Sequence, residues 1–69
     1  MDWVARKRIS REEAMKLVGR YLTLFACHFY TDGRFVQWIE GDEVYEYDTK
    51  LKEQRHSKAN SPWSEWVAC

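Results

Sequence analysis

Two cysteines, one proline and three glycines are all that this 69-residue chain holds of the residues that staple or punctuate small folds. Cys27 sits in an apolar stretch and Cys69 is the last residue, so the pair does not form the disulfide framework of a small secreted domain. Three scattered glycines exclude a Gly-rich phosphate loop, and no G-x-S-x-G is present. Cys27, His28, His56 and Cys69 are the full supply of Cys and His. They lack the C-x₂-C and H-x₃₋₅-H spacings of metal sites, so neither a metal nor a cofactor is expected. The longest apolar-rich run, Tyr21 to Tyr30, is too short to cross a bilayer, and the N-terminus has no apolar h-region. These absences predict a cytoplasmic protein with reduced thiols, no membrane partner and no enzymatic function. Net charge is zero, which argues against an affinity dominated by nucleic-acid phosphates.

What is present is apolar and aromatic. The apolar fraction, 45%, excludes a disordered chain, and the aromatic fraction, 16%, supplies large side chains to a small core. The length fits one domain, 1–69. Charge is segregated along it: +3 over residues 1–20, −5 over 21–49 and +2 over 50–69.

The pattern predicts an α+β fold in three pieces. The first is a long amphipathic helix over about 10–31. Ser10 and Glu13 have the spacing of a capping box, and Glu12 and Glu13 suit the positive end of a helix dipole. Ala14, Leu17, Val18, Tyr21, Phe25 and Phe29 recur at steps of three or four. Gly19 weakens such a helix by about 1 kcal/mol relative to Ala. A strand over Leu24–Thr31, turning at Asp32-Gly33 into Arg34, is the alternative; the unbroken 3.6-residue pattern favours the helix.

The second piece is an antiparallel hairpin, 34–40 and 43–49, turning at Gly41-Asp42. A two-residue loop there sets Trp38 opposite Tyr45, Val36 opposite Tyr47 and Ile39 opposite Val44. Val36, Trp38, Tyr45 and Tyr47 then share one face, suited to cover the helix. The third piece is a short C-terminal helix over about 62–68, with Ser61 as N-cap and Pro62 at the first helical position. A basic arm, 1–9, precedes the long helix, and a mobile polar segment, 50–60, follows the hairpin.

The opening ISREEAMKLVG resembles the first helix of small winged helix-turn-helix regulators, with the hairpin as the wing. Such regulators continue into a polar, basic recognition helix. Here LTLFACHF follows, which is unsuited to a major groove, so membership is not assigned.

The functional expectation is a small regulatory protein acting by protein–protein binding, an inhibitor or adaptor of a larger partner, and itself a homodimer. The second half of the long helix is apolar nearly all round, and so short a chain has little to cover it. The candidate contact residues are Leu22, Leu24, Trp38, Tyr45, Trp63 and Trp66, drawn from the exposed-aromatic logic of interface anchors. The alternative is a DNA- or RNA-binding accessory protein or transcription regulator using Arg6, Lys7, Arg8, Arg11, Lys16 and Arg20.

Overall fold

The computed structural model describes residues 6–58 and 61–68. Along the chain stand β1 (Lys7–Ile9), α1 (Arg11–Val18), β2 (Ala26–Thr31), β3 (Phe35–Glu40), β4 (Glu43–Asp48), β5 (Glu53–Lys58) and β6 (Val67–Ala68). Every strand pairs antiparallel with the next, so the order in the six-stranded sheet is the order in the chain. The α+β expectation of a long helix on a two-stranded hairpin is therefore corrected: the fold is mostly antiparallel sheet, with one short helix.

The helix begins as its sequence predicts and ends far earlier. Ser10 Oγ accepts the Glu13 N–H at 3.2 Å, satisfying one of the orphan donors of the first turn. Gly19 closes the helix after eight residues, at φ 80°, with its N–H on the Met15 carbonyl at 2.8 Å. A left-handed residue is the commonest helix stop, and Gly adopts it without steric penalty. The chain then loops through residues 20–25 and enters β2, so the strand alternative for this stretch is the one realised.

β2 carries a bulge. Ala26 and Cys27 pair with Glu40 and Ile39, whereas Tyr30 and Thr31 pair with Gln37 and Val36, one residue out of step. His28, within the slip, has φ 55°. The extra residue puts Ala26 and Phe29 on the same buried face although they stand three apart.

β3 and β4 turn at Gly41-Asp42, with Gly41 at φ 66°, and pair Val36 with Tyr47, Trp38 with Tyr45 and Ile39 with Val44. The segment 50–60 contains β5, which pairs with β4 along its whole length. Its leading turn is tied down by Asp48, whose Oδ1 accepts the N–H groups of Lys50 (2.9 Å) and Leu51 (3.2 Å). Residues 59 and 60 lie outside the described residues, as do residues 1–5 of the expected basic arm.

The expected helix over 62–68 is also corrected. Residues 62–66 have no regular structure, and Val67 and Ala68 pair with Gln54 and Glu53. A helix this short gains too little by itself. The edge of β5 offers more: the Ser64 N–H donates to the His56 carbonyl at 2.8 Å, and Ser64 Oγ accepts the His56 N–H at 2.9 Å.

The apolar core lies between α1 and one face of the sheet. Ala14, Val18, Leu22, Ala26, Phe29, Val36, Trp38 and Tyr47 are buried in one cluster, with Ile9, Met15 and Tyr45 against it. Trp38 stacks on Tyr45, the ring centroids 5.7 Å apart and the planes 6° from parallel. The opposite face has a polar centre, where Glu46 is wholly enclosed and Asp48 nearly so.

Candidate functional site

The loop joining α1 to β2 sets three large apolar side chains in water. Tyr21 is 71% exposed, Leu24 82% and Phe25 78%, while Leu22 between them is buried. The loop is held by one side chain. The Arg11 guanidinium donates to the carbonyls of Leu22 (3.2 Å), Thr23 (2.8 Å), Leu24 (3.5 Å) and Ala26 (2.6 Å). Its carbon also lies 5.4 Å from the centre of the Phe29 ring. A guanidinium suits this task because its five donors lie in one rigid plane. Backbone carbonyls outside regular structure must find partners, and here Arg11 reaches four of them. The Ala26 N–H on the Thr23 carbonyl, at 3.0 Å, closes the turn. Single exposed apolar residues are ordinary; here Leu24 and Phe25 are adjacent in the chain and both exposed on one loop.

Beside this loop, at the C-terminal end of α1, is an open cleft of about 470 Å³ lined by Lys16, Leu17, Val18, Gly19, Arg20, Tyr47 and Lys52. Among the described residues that line it, three are cationic and none is acidic. Arg20 also donates to Gln54 Oε1, linking the helix end to β5.

The polar face of the sheet is a stack of cations and rings. Glu46 meets Arg6 at 3.0 Å and Arg55 at 2.6 Å. The Arg55 guanidinium lies 4.4 Å from the centre of one Trp63 ring and 4.6 Å from one of Trp66. Trp66 reaches Phe35, 6.0 Å between centroids, and Arg6 and Arg34 lie over Phe35 at 5.3 and 4.8 Å. Asp32 joins at the rim, 3.6 Å from Arg6. Burial opposes ionisation of Asp32, but the N–H groups of Phe35 and Arg34 and the Arg6 charge outweigh it and hold its carboxyl below the usual range.

The expected contact residues are thus dispersed. Leu24 is on the surface. Leu22 and Trp38 are buried in the core cluster of this chain. Tyr45 is half-buried, stacked on Trp38 and tilted 30° from the His56 ring, and donates its hydroxyl to Glu43 at 2.8 Å. That bond, aided by burial, pushes the phenol up to about 12. Trp63 and Trp66 are half-buried against Arg55 of their own chain.

The expected nucleic-acid residues divide as well. The Arg6 side chain is buried against Glu46, and Arg11 is committed to the loop carbonyls. Lys7 and Arg8 are exposed on β1, whereas Lys16 and Arg20 meet in the cleft. Tyr21, Phe25, Arg11 as a brace and Lys52 were not legible as site residues. The one sequence signal is Asp32-Gly33, which as a hairpin turn takes Phe25 off the helix stripe.

Among the described residues, no group of three or more His, Cys, Asp and Glu side chains is placed to hold a metal ion, and no helix is long and apolar enough to cross a membrane. Comparison with protein families, curated proteins and solved structures finds no match.

Proposed function

We propose that this protein is a small non-enzymatic regulator that acts by protein–protein binding, docking the Tyr21–Phe25 loop on an apolar surface. The observation that carries the reading is the pair Leu24 and Phe25, more than three-quarters exposed on a loop fastened by Arg11. A fastened loop loses little conformational freedom on binding, so more of its apolar burial appears as affinity. The first occupant is a second copy of the chain, because a two-fold pairing brings like apolar surfaces together. A larger protein target is the second. Cys27, an exposed free thiol, suits a reducing compartment, and we place the protein in the cytoplasm.

The test is sedimentation equilibrium over a range of concentrations, with the double variant Leu24→Ser and Phe25→Ser as control. The expected result is a dimer that the double variant converts to a monomer with an unchanged circular dichroism spectrum. A wild-type chain that stays at 8.4 kDa in the high micromolar range removes the dimer and leaves only the larger target.

A further inference from the structure

The cleft at the end of α1 has a chemistry that apolar docking does not use. We infer that it is a binding site for a phosphate group, held by Lys16, Arg20 and Lys52 over a floor of Val18 and Tyr47. The three cations come from three places in the fold: the last turn of α1, the segment just past Gly19, and the turn between β4 and β5. The floor is rigid, since Val18 and Tyr47 are both core residues. Among the described residues, no carboxylate lines the cleft. The acids of α1, Glu12 and Glu13, are in its first turn, at the far end. Asp48, just before the Lys52 turn, gives its oxygens to Arg34 and to backbone N–H groups.

Lys52 adds a second observation. It stands at φ 59°, a left-handed conformation that glycine or asparagine takes readily and lysine does not. Glycine would fit this turn without strain, yet the position carries a cation at the rim of a cleft that already holds two. Strain of this kind points to a role for the side chain. A phosphate answers the arrangement better than a carboxylate does. It carries up to two negative charges and several strong acceptor oxygens, enough for three cationic donors. The volume falls in the range of small-molecule sites, roughly 300–1,000 Å³.

Phosphate can arrive on a small molecule or in a nucleic-acid backbone, and titrations followed by amide NMR on the full chain separate the two. The probes are a nucleoside monophosphate and a single-stranded oligonucleotide at low ionic strength, where charge is least screened, with acetate as control. The expected result is a saturable shift of the Lys16, Gly19, Arg20 and Lys52 amides with the phosphate probes and none with acetate. Lys52→Gly, which keeps the backbone conformation and removes the charge, weakens binding about tenfold, equivalent to about 1.4 kcal/mol, without lowering the melting temperature. Lys16→Met weakens it comparably. An oligonucleotide that binds far more tightly than the monophosphate, with affinity falling steeply in salt, identifies a nucleic-acid backbone; equal affinity identifies a small ligand. Shifts that never saturate, shifts matched by acetate or spread equally over Lys7, Arg8, Lys50 and Lys58, or unchanged affinity in Lys52→Gly would each overturn the site.

Discussion

Glu46 and Arg55 face each other across β4 and β5, and their side chains meet at 2.6 Å with the Glu46 carboxylate wholly shut off from water. Arg6 approaches the same carboxylate from the segment before β1, so one enclosed acid ties the start of the described chain to the far half of the sheet. A buried ion pair of this sort adds little net stability while intact, but removing one member leaves the others uncompensated.

Glu46→Ala is therefore expected to destabilise the protein by about 3 kcal/mol or more. It removes the carboxylate that Arg6 meets at 3.0 Å, at a side chain only 2% exposed. Urea denaturation at neutral pH measures this. A loss below about 1 kcal/mol, the scale of an exposed pair, would show that water reaches the cluster.

Asp48 makes stability depend on acid. It accepts two hydrogen bonds from Arg34, at 3.0 and 2.8 Å, and further ones from the Lys50 and Leu51 N–H groups. The bonds from Arg34 outweigh the desolvation that opposes ionisation, and the carboxyl is pulled down to about 2. A carboxyl lowered on folding contributes stability that is fully present above its unfolded value, about 3.9. That contribution disappears as pH falls from there through 2. Asp48→Asn is expected to cost about 2 kcal/mol near neutrality, with the gap to wild type closing between pH 4 and 2. Parallel thermal melts across that window check it; a gap independent of pH would mean that packing, not charge, is lost.

The hairpin was readable because both its signals are local: a two-residue Gly-containing turn, and alternating aromatic and β-branched positions on either side. The long helix was misread for a physical reason. The buried positions Ala14, Val18, Leu22, Ala26 and Phe29 are spaced four, four, four and three, which is helical periodicity. Only the first two lie on a helix. Leu22 is a loop anchor, and Ala26 and Phe29 reach the same face of a strand because the bulge at His28 adds a residue between them. A bulged strand entering from a loop thus imitates a helix. β5 was missed because EQRHSK lacks an apolar face of its own, and backbone pairing with β4 and the Trp63 and Trp66 rings over Arg55 supply what its side chains do not. The exposed Tyr21–Phe25 loop and the cleft were illegible because both depend on where the helix stops.

Gly19 decides that stop by the sign of one measurement. In the interior of a continuous helix, Gly19→Ala would stabilise by about 1 kcal/mol. At φ 80° the same change puts a β-carbon into a left-handed conformation, which costs about 1–2 kcal/mol. An added β-carbon meets no atom within 4 Å, so the cost is the backbone's alone. Denaturant melts of Gly19→Ala are expected to show a loss of about 1 kcal/mol. A gain would mean that the helix runs on.

Arg11 sets how firmly the Tyr21–Phe25 loop is held. Lysine at this position keeps the charge but has one compact ammonium in place of a planar fork, and it cannot serve the Leu22, Thr23, Leu24 and Ala26 carbonyls together. Arg11→Lys is expected to speed hydrogen exchange of the amides over 20–26 about tenfold, corresponding to about 1.4 kcal/mol of lost local protection. Amides in β3 and β4 should exchange as in wild type. If the loop is the docking element, the same substitution weakens association although it leaves Leu24 and Phe25 in place, because a loosened loop must be ordered again on binding. Faster exchange with unchanged association would separate the brace from the interface and leave the two exposed side chains to act without it.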